Sequence, residues 1–70
     1  MVNEIDVRGL SCPQPLIELK KAIDAGETDI ILIADDPVAR DNCIRMAENE
    51  GYSVNVEEKD DEFYLKISKP

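Results

Sequence analysis

The chain has 70 residues, a length that allows one small domain. Its sixteen acidic and eight basic side chains give a formal net charge of −8, which argues against direct binding to nucleic acid, since phosphate contacts need clustered Lys or Arg. It contains no histidine and only two cysteines, 31 positions apart, which excludes a histidine acid or base and leaves no ligand set for zinc, so we expect no metal and no cofactor. The chain shows no charged-then-apolar leader and no apolar run of membrane-spanning length. We therefore expect a single cytoplasmic domain, residues 1–70, that contacts no membrane. Its acidic surface suits a basic protein partner.

The first predicted elements are a short strand and an amphipathic helix. Apolar and polar residues alternate around residues 5–7, a weak period-two pattern typical of a strand, and Gly9 interrupts it. From Leu16 onward, apolar side chains recur at helical spacing until Gly26, and glycine commonly follows the end of a helix. The sequence therefore predicts a strand that ends near Val7 and a helix from about Leu16 to Gly26.

The segment between these elements contains Cys12, followed by Pro13 and Pro15. Proline suits the first position of a helix, because its φ is already helical and its missing N–H would have no partner there; Pro13 could thus begin the helix, with Cys12 as the cap. Pro15, however, disfavours the helical conformation of Gln14, which would place the helix start one or two residues later. Both starts stay open, and both put a stiff turn beside the cysteine.

The position of Cys12 near the start of a helix indicates a reactive thiol. The amino end of a helix has unpaired N–H groups and about half a positive elementary charge, which favour a thiolate, the attacking form of cysteine. The net charge of −8 and the two prolines oppose this effect, so we expect only a partial fall in the thiol pKa. We expect the backbone N–H of Gln14 and the nearest cation in sequence, Arg8, beside the sulfur. In the alternative interpretation, the prolines only join strand to helix and Cys12 is a small buried filler.

The middle of the chain predicts a second strand and a second helix. Residues 30–33 form a continuous apolar run, typical of an interior strand that is packed on both faces or that uses one face for contact. Asp36 and Pro37 have the pattern of a helix cap and first helical residue, and Gly51 closes that helix. Cys43 falls on the apolar stripe of this helix, so we assign it to core packing.

The last two predicted strands form a hairpin. Apolar and polar residues alternate in residues 52–56 and 63–67, and an acidic turn at residues 59–62 separates the two runs. The order β-α-β-α-β-β predicts an α/β fold, a two-layer sandwich in which a mixed four-stranded sheet carries both helices on one face. In that fold, Cys12 and the turn at residues 35–37 lie at the carboxyl ends of parallel strands, where α/β folds usually place their sites.

Residues 6–15, Asp-Val-Arg-Gly-Leu-Ser-Cys-Pro-Gln-Pro, together with the helix behind them and the Asp-Asp-Pro turn at 35–37, resemble the TusA/SirA-like sulfur-carrier family. The resemblance implies a protein that accepts sulfane sulfur as a persulfide on Cys12 from a donor, such as a cysteine desulfurase or a rhodanese-like protein. It then implies transfer to an acceptor protein, in a pathway such as tRNA thiolation or cofactor biosynthesis. Family members often have an apolar residue and then proline where this chain has Asn42, Cys43 and Ile44.

This resemblance implies a persulfide carrier of the sulfurtransferase type rather than a self-sufficient enzyme. Cys12 is then the reacting residue, and the residues expected to support the thiolate or its turn are Arg8, Gly9, Pro13, Gln14 and Pro15. Sulfane-sulfur transfer is compatible with a chain that lacks histidine, because thiolate attack on a persulfide requires no metal, nucleotide or base of the carrier. Hydrolysis or acyl transfer would require a proton acceptor and an oxyanion site beside the nucleophile.

Two alternatives from other functional classes stay open. Cys12 and Cys43 could form a reversible disulfide, making the protein a thiol redox switch, provided that their Cα atoms lie within about 7 Å. The chain could also be a non-catalytic interaction module, in which the exposed face of the sheet or the strand at residues 30–33 binds a partner and Cys12 is incidental.

Overall fold

The structure is a computed structural model, and it describes residues 3–10 and 14–69. The elements along these residues are β1 (Asn3–Asp6), α1 (Gln14–Asp24), β2 (Asp29–Ala34), α2 (Pro37–Asn49), β3 (Ser53–Lys59) and β4 (Glu62–Ser68). They form a four-stranded sheet in the order β1-β2-β4-β3, in which β1 and β2 are parallel and the other pairs are antiparallel. The predicted α/β architecture, a mixed sheet with both helices on one face, is confirmed.

The core lies between the helices and one face of the sheet. Alternate residues of the two central strands are buried there, Ile30, Leu32 and Ala34 on β2 and Phe63, Leu65 and Ile67 on β4. They form one cluster with buried residues of the helices, namely Leu19, Ala22, Cys43 and Ala47. Ile33 points to the other face yet is only 8% exposed, flanked in register by Asp6 and Tyr64. Strand β2 is therefore packed on both faces over part of its length, one of the two arrangements that its apolar run predicted.

The start of α2 agrees with its prediction, whereas the sequence had left the start of α1 open. Helix α2 begins as expected, because the side chain of Asp36 accepts a hydrogen bond from the N–H of Ala39 at 3.3 Å and Pro37 occupies the first helical turn. Helix α1 begins at Gln14, so its first turn includes Pro15. That proline costs no hydrogen bond, since the first N–H groups of a helix have no partner within it. This start lies one residue after Pro13, within the later of the two predicted starts, and two residues before the start near Leu16 that apolar periodicity indicated.

The hairpin between β3 and β4 is tighter than its sequence suggested. Lys59 and Glu62 are still paired strand residues, so the turn consists of Asp60 and Asp61, both with positive φ, 53° and 64°. Positive φ at both central residues is typical of the two-residue turns whose twist matches that of the flanking strands, and aspartate tolerates this region better than most residues. Both strands consequently extend farther toward the turn than their alternating patterns indicated.

Cys43 is completely buried, with 0% of its surface exposed, which confirms the assignment to the core. Cys12 lies outside the described residues, so the disulfide of the redox-switch hypothesis stays a prediction. Along the described chain, no helix has both the length and the apolar character that a membrane crossing requires.

Candidate functional site

The chain makes a tight turn directly after β1, at residues 7–10. The N–H of Val7 donates to the carbonyl of Ile33 at 2.9 Å and so continues the pairing with β2, and the N–H of Leu10 returns to the carbonyl of Val7 at 3.2 Å. Gly9, the third residue of this four-residue turn, has a φ of +78°. That value is characteristic of a type II turn, whose third position favours glycine because other side chains are strained there. This explains why glycine occupies position 9 in the turn that follows the first strand.

Two carboxylates hold the remaining amides of the turn. The N–H of Arg8 donates to Oδ1 of Asp6 at 3.0 Å. The N–H of Gly9 donates to both oxygens of Asp35, at 3.2 and 3.1 Å. Asp35 is the first residue after β2, so this contact joins the ends of the two parallel strands. It places the turn that leads toward Cys12 at the same edge of the sheet as the turn at residues 35–37, while the expected position of Cys12 itself stays a prediction.

The guanidinium of Arg8 is paired with two carboxylates. Its Nε and Nη2 donate to the two oxygens of Asp6 at 2.9 and 2.7 Å, and its Nη1 donates to Oε2 of Glu62 at 2.9 Å. Hydrogen bonding to Arg8 lowers the pKa of Asp6 from the ordinary 3.8 to about 2, and the same bonds raise the pKa of Arg8. The described contacts of Arg8 are thus with carboxylates of β1 and β4. Its expected position beside the Cys12 sulfur stays a prediction.

Glu62 links this ion pair to the open face of the sheet. Its Oε1 accepts a hydrogen bond from the hydroxyl of Tyr64 at 3.2 Å. This bond is the main cause that raises the pKa of Tyr64, and partial burial of the hydroxyl contributes in the same direction. The network Asp6–Arg8–Glu62–Tyr64 therefore connects the turn after β1 with the first residues of β4, across the end of β2.

The start of α1 provides the other side of the site. Gln14 is the first helical residue, and its side chain donates to Oε1 of Glu18 at 3.2 Å. Pro15 is fully buried, which anchors the first helical turn against the core. Cys12 and Pro13 lie outside the described residues, between the turn at residues 7–10 and this helix start. The structure therefore places Arg8, Gly9, Gln14 and Pro15 on the two segments that flank Cys12 in sequence.

Carboxylates gather at this end of the sheet, where β1, β2 and β3 end and β4 begins. They come from the strand ends and from the hairpin, and they are Asp6, Asp35, Asp36, Glu57, Glu58, Asp60, Asp61 and Glu62. Among the described residues, no group of three or more acidic or cysteine side chains is arranged to hold a metal ion. Neither Asp35 nor Glu62 was among the site residues expected from the sequence. The predicted fold did place the turn that contains Asp35 at this edge of the sheet. No sequence motif pointed to a role for Glu62.

The low pKa of Asp6 predicts how acid affects the protein. A carboxyl whose pKa falls on folding stabilises the native state above its ordinary pKa, and this stabilisation is lost as the pH falls toward the folded value, here between about pH 4 and about pH 2. We expect Asp6→Asn to lower the melting temperature at neutral pH, and the difference from the wild type to shrink through this window. Asp29→Asn, at the opposite end of β2, is the matched control. An Asp6→Asn deficit that persists unchanged at pH 2 would contradict this interpretation.

Comparison with known proteins identifies relatives along the whole described chain. The family described as sulfurtransferase TusA matches residues 3–69. A candidate sulfur carrier protein of Methanocaldococcus jannaschii is 36% identical over 72 aligned positions, which cover 97% of this chain and 95% of that protein. The crystal structure of a SirA-like protein from Desulfitobacterium hafniense superimposes with a TM-score of 0.84 at 35% identity, covering 97% of this chain and 96% of that one. Together with the four-stranded sheet and the turn that precedes the Cys-Pro-x-Pro sequence, these matches show that the chain belongs to the TusA family of sulfur carriers.

Proposed function

We propose that Cys12 carries sulfane sulfur as a persulfide, in the cytoplasm, between a donor protein and an acceptor protein. The Cys12 thiolate attacks the outer sulfur of a donor persulfide; the donor S–S bond breaks, its thiolate leaves, and a new S–S bond forms on Cys12. An acceptor thiolate then attacks the outer sulfur in the same way and regenerates the Cys12 thiolate. The sulfane sulfur keeps its oxidation state throughout, so the carrier needs neither an oxidant nor a reductant.

The observation that carries this proposal is the family match over residues 3–69, which includes Cys12. The local geometry supports it in two ways. Helix α1 begins at Gln14, two positions after Cys12, and a helix start favours an anion such as a thiolate. The turn at residues 7–10 is held by hydrogen bonds on three successive amides, so the segment that leads to the cysteine starts from a fixed position.

The distribution of charge supports protein partners with basic surfaces at the site. The carboxylates at this end of the sheet attract a basic patch and would repel an acidic one, which speeds encounters at low ionic strength. They also disfavour nucleic acid, whose phosphates are negative. We therefore propose a cysteine desulfurase or a rhodanese-like protein as donor, and an acceptor protein rather than an RNA as the direct recipient.

Mass spectrometry tests the proposal directly. After incubation with a cysteine desulfurase and cysteine, the intact chain should gain about 32 Da, the mass of one sulfur atom, and a thiol reductant should remove it. Peptide mapping should place the added mass on the peptide that contains Cys12. An unmodified chain, or an added sulfur on Cys43, would refute the proposal.

Two further measurements separate the alternatives. A redox switch would lose two free thiols after mild oxidation without gaining a sulfur atom, and the complete burial of Cys43 gives that alternative no support. An interaction module would retain full biological activity when Cys12 is replaced by alanine. Counting thiols and assaying that variant thus distinguish the three hypotheses.

A further inference from the structure

We infer that Asp35 is a positioning residue for sulfur transfer, because its carboxylate fixes the orientation of the turn that leads to Cys12. The inference rests on the proposed function, since it concerns the rate at which Cys12 accepts sulfur. It adds a residue from another part of the chain, 26 positions after Gly9, to a site that the sequence analysis built from residues 8–15 alone.

The geometry of the turn leaves one conformational choice open. Type I and type II turns differ mainly by a rotation of their central peptide, which changes φ of the third residue from about −90° to about +80°. In this turn the central peptide joins Arg8 to Gly9, and glycine adopts either sign of φ with little cost. The turn residues themselves therefore do not determine which way this peptide faces.

Asp35 determines the orientation of the peptide between Arg8 and Gly9. The N–H of Gly9 belongs to the central peptide, and it donates to both oxygens of the Asp35 carboxylate at 3.2 and 3.1 Å. This bond is compatible with the observed φ of +78° and would be lost if the peptide rotated. Hydrogen bonds to ionised groups are roughly twice as strong as neutral ones. The carboxylate thus selects the type II conformation.

Asp35 is itself held on both sides. It follows Ala34, which is completely buried at the end of β2, and it precedes Asp36, which caps α2 through the N–H of Ala39. The backbone at Asp35 lies between a buried strand end and a capped helix and so has little freedom to follow a rotating peptide, although the carboxylate itself is exposed. The position of the turn before Cys12 is therefore fixed relative to the central strand β2, and not only by contacts with neighbouring residues.

The consequence concerns the reaction with a protein donor. Two sulfur atoms must meet in line, and reacting groups that are held in place react faster than groups that must first find the right geometry. We expect Asp35→Ala to lower the rate of sulfur uptake from a cysteine desulfurase by about tenfold, the lower end of the loss typical of one hydrogen bond to a charged group, because this bond is exposed to solvent. Asp35→Asn keeps an acceptor oxygen for Gly9 and should restore most of that rate.

The charge of Asp35 must be separated from its hydrogen bond. Both variants remove a negative charge near the Cys12 segment, which by itself favours the thiolate. Each uptake rate is therefore divided by the thiolate fraction, taken from the pH dependence of Cys12 alkylation in the same variant. Asp29→Ala, an exposed aspartate at the other end of β2, is the matched control and should behave as the wild type. Amide hydrogen exchange at Gly9 reports the turn independently and should accelerate in Asp35→Ala.

Lowered corrected uptake and faster Gly9 exchange in Asp35→Ala, both reversed in Asp35→Asn, would establish the role. Wild-type uptake in Asp35→Ala would overturn it, and so would an equal loss in both variants, because charge rather than hydrogen bonding would then be responsible. Failure of the proposed function looks different: the wild type itself would take no sulfur on Cys12. The Gly9 exchange measurement would still show whether Asp35 fixes the turn.

Discussion

Cys12→Ser is expected to abolish sulfur loading and every later transfer to an acceptor, while leaving the fold intact. A serine hydroxyl stays protonated near neutral pH and cannot form the sulfur–sulfur bond that a persulfide requires. The loss should therefore be complete rather than partial, unlike the graded effect expected at Asp35. Transfer of labelled sulfur from cysteine through a desulfurase to the carrier, followed by gel or mass detection, measures it.

Cys43→Ala is the matched control for this experiment, since it removes the other thiol of the chain. Cys43 is buried in the core, so its replacement is expected to lower the melting temperature while leaving loading on Cys12 unchanged at temperatures where the variant is folded. If Cys12→Ser still acquired sulfur, or if folded Cys43→Ala failed to acquire it, Cys12 could not be the carrier residue.

Leu65→Ala is expected to cause one of the largest losses of stability that a single core substitution can produce here. Leu65 is 0% exposed on central strand β4, opposite Leu32 on one side and Val56 on the other. Truncating such a leucine removes buried apolar surface and leaves a cavity, which together cost about 3 kcal/mol. A domain of this size has only a few kcal/mol of net stability, so the variant should be largely unfolded at physiological temperature.

Urea denaturation followed by circular dichroism measures this effect, and the midpoint should fall while the slope stays close to that of the wild type. Val38→Ala provides the contrast, because Val38 is 59% exposed in the first turn of α2 and should change the free energy of unfolding by less than about 0.5 kcal/mol. Similar losses in the two variants would mean that Leu65 does not lie in the core.

Much of the fold could be predicted from local patterns. Apolar periodicity indicated both helices and three of the strands of the described chain, and a continuous apolar run indicated β2. The Asp36–Pro37 pair marked the start of α2 correctly because a cap and a proline both act within one turn. The start of α1 could not be decided in this way, since Pro13 and Pro15 favour different positions and packing against the core, seen in the burial of Pro15, decides between them. The hairpin ends were also misjudged, because Asp60 and Asp61 form a tight turn without the glycine that usually indicates one.

The candidate site was less accessible to sequence reasoning than the fold. Arg8 and Gly9 were singled out because they precede Cys12, but their partners come from distant parts of the chain. Glu62 lies 54 positions from Arg8, and Asp35 lies 26 positions from Gly9. Strand order brings these residues together, and a one-residue change in the register of β4 would carry Glu62 to the other face. Contacts of this kind follow from the assembled sheet rather than from any local pattern.

The parallel pairing of β1 with β2, and the antiparallel return of β4, place Asn3 and Lys69 near the same end of the sheet, where Lys69 donates its N–H to the carbonyl of Thr28. The candidate site occupies the opposite end. A fluorophore or surface tether attached at Asn3 or Lys69 would therefore lie at the end of the sheet away from incoming partners. Immobilised binding measurements with donor and acceptor proteins should then be insensitive to which of these two positions is used.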